Sequence, residues 1–371
     1  MCVVVFWSLC LGRWLFVTSF LCFLHIVGTR EKEGTELKQI IYDQYELRVE
    51  RKQRVRQFDA FWSNRVLYIM VPVAHLEAEE IDELQKISDY MIRTHKDIYV
   101  SSFVKNKNDT YTTEIDGRQI ALFRMPYDYS SRKLVVGKEL AAFHTHARSY
   151  PSKVTAINRI GQWKSLWVKR IDQMESFFRE KVRSNPVDVF DTQFVESFPY
   201  YLGLTENAIQ YLVDTELDDS PMMNDAATLC HHRFTDLTWQ QAQWMKLPTD
   251  WIFDHASRDL SEWIRVECRK GKDMNPTKIQ TFLQDYERVS PLSSFSWRLL
   301  YARLTFPVHY FECVEDYYTS GPVADKKWHE DRMKAILHSS THYEQLLGSF
   351  YDLAGVPAKN YGIPVLDWVK K

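Results

Sequence analysis

The chain has 371 residues, with 47 basic against 49 acidic side chains, a net charge of −2, and 45% hydrophobic and 14% aromatic content. That size and apolar fraction suffice for two packed lobes, while the near-neutral balance lacks the basic footprint of a nucleic-acid binder, so nucleic acid is not expected as a partner. The six cysteines, Cys2, Cys10, Cys22, Cys230, Cys268 and Cys313, form no CxxC pair and signal neither a disulfide framework nor a zinc knuckle.

Residues 1–28 are almost wholly apolar, but Arg13 leaves a run of only fifteen residues after it. A spanning helix needs about twenty, and a central arginine costs about 2.5 to 3.5 kcal/mol on insertion. An export signal wants positive charge at its start and a small-x-small cleavage site. Three readings stand: a membrane anchor, a signal, or translated upstream sequence with the start near Val27 or Leu37. The lack of a disulfide pattern downstream favours the third. A membrane is then a partner only if residues 1–28 belong to the working protein, and the fold is expected to begin near Thr35, after a leader over residues 1–34.

Residues 35–125 read as a small lobe. A helix is predicted over 37–45, with Leu37, Ile40, Ile41 and Tyr45 on one face, followed by a basic, solvated stretch over 48–56. The run 66–73 has strand length, and 77–94 is helical through Ile81, Leu84, Ile87 and Met91. Strands are predicted over 98–104, 111–115 and 119–123, the last pair joined by a turn at Asp116-Gly117.

Residues 126–371 read as a larger, helical lobe. Helices are predicted over 131–144 and over 160–183, the latter carrying an aromatic stripe that reads as core and stopping at Asn185-Pro186. Two helices, 190–198 and 206–217, are expected around a break at 199–203. Further helices are predicted over 276–289, with Pro276 first behind Asn275, and over 293–304, 308–317 and 324–347.

Residues 229–267 organise the functional reading. A short apolar lead runs into paired histidines, a polar turn follows, the chain returns through Trp251 to Phe253, and a helix opens whose first amides Asp254 or Ser257 can cap. This layout resembles the catalytic segment of the aminoglycoside phosphotransferase and choline kinase group, in which the loop reads His-Gly-Asp-x-x-x-x-Asn and a later strand ends in Ile-Asp-Phe or Ile-Asp-Trp. The resemblance implies an α+β, two-lobed protein-kinase-like fold with a small antiparallel-sheet N-lobe and a large helical C-lobe.

In register, His231 keeps the histidine, His232 replaces the glycine, Arg233 replaces the catalytic aspartate and Thr238 replaces the asparagine. The metal-binding aspartate falls on Ile252 or, after a one-residue slip, on Asp254. A guanidinium has no acceptor and cannot be a proton-accepting base, and a threonine hydroxyl is a poor substitute for a magnesium-ligating amide oxygen. No lysine occurs between Lys52 and Lys86 and no glycine between Gly34 and Gly117, so the phosphate-holding lysine and glycine-bearing turn that the resemblance implies are missing. Glu79, Glu80 and Glu83 read as helix surface. No catalytic or cofactor-binding residue is therefore expected; Asp236 and Asp254 are the remaining acids, Asp254 the metal ligand if there is one, and Arg233 is expected to neutralise Asp254.

Other histidines carry weaker patterns. His338 and His342 have zinc-compatible spacing but no evident third ligand, and His144, His146 and His255 read as packing or capping residues. No nucleophile elbow occurs.

The segments NRIGQWKSLW, SFPYYLGLTENAIQYLVDTELDD, CHHRFTDLTW and DHASRDLSEWIR together resemble the spore coat YutH-type proteins, kinase-like relatives of the CotS coat family. That resemblance implies a sporulation protein made in the mother-cell cytoplasm and located in the endospore coat among other coat proteins, with a degenerate kinase-like fold and a structural or assembly role. The rival is an active small-molecule kinase that uses ATP and magnesium, with Asp236, Asp250 or Asp254 in rearranged roles.

Overall fold

The computed structural model describes residues 30–125, 135–186, 188–241, 243–319 and 326–366. The leader over residues 1–28 and the start of the helix predicted from 131 lie outside these. The chain divides into two compact units, one holding the residues up to 129 together with 241–249, the other holding 130–240 and 250–371.

The first unit carries α1 (Arg30–Tyr45), β1 (Arg51–Val55), β2 (Phe58–Ser63), β3 (Val66–Pro72), α2 (Ala78–Arg93), β4 (Ser102–Val104), β5 (Thr112–Ile115) and β6 (Arg118–Arg124). The antiparallel sheet runs in the order β1-β2-β3-β6-β4, with β5 also on β6. One apolar cluster gathers Leu67, Ile69, Val71, Ile81 and Phe123, and a second packs Ile41 of α1 with Phe61, Met70 and Leu122. Helix α2 begins at a capping box in which Glu77 and Glu80 satisfy each other's amides.

Residues 48–56, expected as plain surface, contain β1, and β2 was not anticipated. Strand β1 is the sheet's edge, with Arg51, Lys52 and Arg54 exposed and the Arg51 guanidinium 5.3 Å from the Trp62 ring centroid, so an edge position accommodates what composition reads as loop. The strand expected over 98–104 shortens to β4, because Tyr99 and Ser101 pair their backbones with Lys246 at 2.8 and 3.0 Å. Lys246 is buried, and its Nζ lies 2.6 Å from Asp97 Oδ2.

The second unit begins with α3 (Val136–Arg148), α4 (Trp163–Ser184) and α5 (Val189–Asp218). It continues with β7 (Thr228–His231), α6 (Asp236–Trp239) and β10 (Trp251–Asp254); between α6 and β10 runs a two-stranded ribbon, β8 (Gln240–Gln241) and β9 (Gln243–Trp244), in which residues 241–244 belong to the first unit. The remaining helices are α7 (Ser257–Cys268), α8 (Pro276–Glu287), α9 (Ser294–Thr305), α10 (Val308–Thr319), α11 (Lys326–His338) and α12 (Ser340–Ala354). Helix α3 approaches α8 closely through Gly137, where an added Cβ would lie 2.3 Å from the Phe282 carbonyl oxygen.

Two expectations are corrected here. No break occurs at 199–203: α5 runs as one helix through Pro199. An interior proline costs about 3 kcal/mol, and the burial of Phe190, Phe194, Phe198, Tyr201, Leu204 and Leu212 along one helix outweighs it at roughly 1.5 to 3 kcal/mol each. Conversely, the helix predicted over 324–347 is two helices meeting at Ser339, so His338 and His342 stand on separate elements.

Candidate functional site

The antiparallel pair β7–β10 aligns His231 with Trp251 and Thr228 with Asp254, so both strands deliver their polar residues to the mouth of α7. Every residue of α7 except Val266 is buried, including Arg258, Asp259, Glu262, Arg265 and Glu267. Buried ions persist only when paired and hydrogen-bonded, since desolvation costs several kcal/mol per ion. Three carboxylates organise that pairing.

Asp254 ends β10 and is fully buried, whereas Ile252 sits in mid-strand opposite Cys230. Its carboxylate accepts the Trp163 indole N–H at 2.8 and 3.0 Å, the His255 amide at 2.8 Å and an Arg258 Nη1 hydrogen at 3.0 Å. Neither Asp254 nor Ser257 caps α7; His255 Nδ1 accepts the Ser257 amide at 3.1 Å, and the Ser257 hydroxyl donates to the Ser296 carbonyl. On its other side His255 faces Asp225 at 3.6 Å. Burial works to raise the Asp225 pKa, but His255 and the hydroxyls of Ser293 and Ser296 more than offset it and hold it at about 2.

Asp259 lies in the first turn of α7 between two histidines. Oδ1 accepts the His231 amide at 2.8 Å, and Oδ2 lies 2.7 Å from His231 Nδ1 and 3.2 Å from His144 Nε2. The Trp239 indole donates to His231 Nε2 at 3.1 Å, so that nitrogen is an acceptor and Nδ1 carries the proton given to Asp259. Burial pushes the His144 pKa down to about 4 despite Asp259, and the Tyr286 hydroxyl lies 2.8 Å from its Nδ1. Burial alone would raise the Asp259 pKa; the contacts with His231 and His144 overcome it and hold it at about 2.

Glu262, just under one turn further along, faces three guanidiniums: Arg233, Arg265 at 2.6 Å and Arg303 at 3.3 Å. Burial opposes ionisation, yet these arginines hold its pKa well below the ordinary value. Arg233 also pairs with Glu312 of α10. Its expected partner Asp254 is paired with Arg258, because Arg258 in the first turn of α7 lies over the acid at the end of β10 while the loop carries Arg233 toward α10.

The rest of the loop is braced internally. Thr238 Oγ1 accepts the Thr235 amide at 2.8 Å and donates to the Arg233 carbonyl at 3.3 Å, and the His232 amide donates to the Asp250 carbonyl at 2.9 Å. Asp236 is partly exposed; it accepts the Trp263 indole at 2.6 Å and pairs with Lys278. His144, Cys230 and Asp259 are the one grouping among the described residues with metal-compatible donor spacing. Burial raises the Cys230 pKa well above its ordinary value and keeps the thiol protonated, donating to the His255 carbonyl at 3.3 Å, while both histidines are committed to Asp259.

Arg258, Asp259, Glu262, Arg265 and Arg303 went unread in the sequence, and Trp163 was read only as part of the aromatic core stripe of the helix over 160–183. The available signal was the set Asp254, Arg258, Glu262 and Arg265, acid and base alternating at steps of three and four.

The family model described as "Spore coat putative kinase YutH" matches residues 38–350. The endospore coat-associated protein YutH of Bacillus subtilis (strain 168) is 43% identical over 348 residues, covering 93% of this chain and 98% of that protein. Among solved structures, an aminoglycoside phosphotransferase from Alicyclobacillus acidocaldarius matches with TM-score 0.62 at 11% identity over 85% of this chain and 96% of its own. An AMP-bound spectinomycin phosphotransferase matches at 0.57 and 12% identity over 84% and 96%. A microcompartment-associated aminopropanol kinase matches at 0.57 and 12% over 85% and 98%. At such identities the likeness is one of fold, a small antiparallel sheet followed by a large helical part, as the resemblance implied.

Proposed function

Because this chain belongs to the spore coat YutH family and has the aminoglycoside phosphotransferase-like fold, we propose that it serves the bacterial endospore coat as a structural or assembly component and transfers no phosphoryl group. The observation that carries this reading is the state of Asp254. Magnesium takes oxygen ligands in a near-octahedral cage, and here both carboxylate oxygens already accept from Trp163, His255 and Arg258. The residues do not fit a magnesium–nucleotide site. A guanidinium occupies the place of the proton-accepting aspartate, the Thr238 hydroxyl is spent on the loop backbone, and β3 carries no lysine. The other coat proteins are its partners in this reading, met after synthesis in the mother-cell cytoplasm.

Asp236, the partly exposed acid, separates this reading from a kinase with rearranged acids. In spores of a strain lacking the endogenous protein, a chain with Asp236→Asn should enter the coat fraction and restore coat composition as fully as the unchanged chain. Loss of that rescue by a folded Asp236→Asn protein would support the kinase reading instead.

A further inference from the structure

We propose that the pocket at the C-terminal end of α7 binds a small free carboxylate through Arg269, Tyr201 and His309. The proposal is independent of the phosphotransferase question, since none of these residues belongs to the loop or to the Asp254 cluster. Five helices converge on the pocket: α5 supplies Tyr201 and Leu204, the end of α7 supplies Arg269, α10 supplies His309, and Ser339 and Tyr343 come from the α11–α12 junction and α12.

Two polar atoms there lack partners. Tyr201 and His309 are 3% and 7% exposed, yet the Tyr201 hydroxyl and His309 Nδ1 have no hydrogen-bond partner. Buried polar groups are nearly always satisfied, and an orphaned pair lining one pocket calls for a ligand or water. The third group is a charge in surplus. Of the neighbouring arginines, Arg265 is paired with Glu262 and Arg332 with Asp316, whereas Arg269 has no ion-pair partner among the described residues. The nearby acid, Glu344, faces the Tyr200 hydroxyl. Burial, then Arg269, Arg265 and Arg332, push the His309 pKa well below its ordinary value, so the ring is neutral and Nδ1–H can donate without a second buried cation.

Size selects the ligand. The enclosed volume is about 10 Å³, room for one water-sized atom. A planar carboxylate can place one oxygen there, accepting from the Tyr201 hydroxyl and His309 Nδ1, and leave the other to the Arg269 guanidinium, whose fork matches carboxylate geometry. A tetrahedral phosphate asks for more space than the base of the pocket offers.

The test uses the full chain, with acetate and inorganic phosphate as probes at constant ionic strength set by chloride, followed through the histidine ring resonances by NMR. Acetate should give a saturable response that weakens at least tenfold in Arg269→Gln, an exposed position, and in Tyr201→Phe, which keeps the ring stacked on Tyr310 at 3.7 Å. Phosphate should bind more weakly than acetate. Unchanged acetate binding in folded Arg269→Gln, the absence of saturation in the unchanged chain, or tighter binding of phosphate would each overturn the assignment.

Discussion

The catalytic-segment end of the second unit and the sheet of the first differ in how they depart from the kinase pattern. Around α7 each departure is matched by charge: Arg258 covers Asp254, and Arg233, Arg265 and Arg303 surround Glu262. In the sheet the pattern is simply absent. Strand β3 is an apolar run without lysine, and the β1–β2 turn carries Arg56 and Gln57 where the resemblance asks for glycine. The difference teaches where stability resides. Residues around α7 are held by mutual desolvated pairing, so removing one strands others, whereas the β1–β2 turn lies at a sheet edge where the Arg56 guanidinium makes a neutral-acceptor hydrogen bond to the Met245 carbonyl at 3.3 Å.

The largest effect is expected at Glu262. Glu262→Gln leaves three guanidiniums without their shared anion, and removing one partner of a buried pair costs about 3 to 5 kcal/mol. Urea unfolding should register that loss; a change under 1 kcal/mol would break the comparison at its strongest point.

Next comes acid. His144 has a folded pKa of about 4 against an ordinary 6.5. Between those values the unfolded chain binds a proton that the folded chain does not. The stability is thus fully present above pH 6.5 and is lost as pH falls to about 4, by about 3 kcal/mol. The urea midpoint should fall steadily across this window, and a flat profile would show that burial does not hold His144 neutral.

Arg233 ranks third, because a third of its side chain is exposed and solvent screens its pairs. Arg233→Ala should cost about 1 to 3 kcal/mol, and Arg233→Asp more, since it sets a carboxylate against Glu262 and Glu312. Melting both variants with and without magnesium and ATP sharpens this: the account expects no rescue by ligand.

The smallest effect belongs to the sheet. Arg56 holds φ at +54° in the β1–β2 turn, a left-handed conformation that glycine adopts freely. Arg56→Gly relieves that strain but loses the hydrogen bond to the Met245 carbonyl, so the two offset and stability should change by no more than about 1 kcal/mol. A loss comparable to that of Glu262→Gln would show that the two regions are not distinct.

Most helices and the central strands were legible because their apolar residues repeat at the helical or extended period, as in α2, α4 and β3. Strand β1 was not, since an edge strand can be charged throughout, and α5 was cut at Pro199 because local propensity carries no information on the packing along both halves. The loop positions His231 to Thr238 were readable from the resemblance. The partners were not. Sequence marks Asp254 as an acid beside a helix start, but only the fold reveals that Trp163, ninety-one residues earlier, and Arg258, one turn later, close over it.

The central claim is that Asp254 is already occupied by the protein's own donors. Calorimetry of ATP added to the full chain, with and without magnesium, tests it most directly. The account predicts no saturable heat up to millimolar nucleotide, while a magnesium-dependent isotherm in the micromolar range would contradict it.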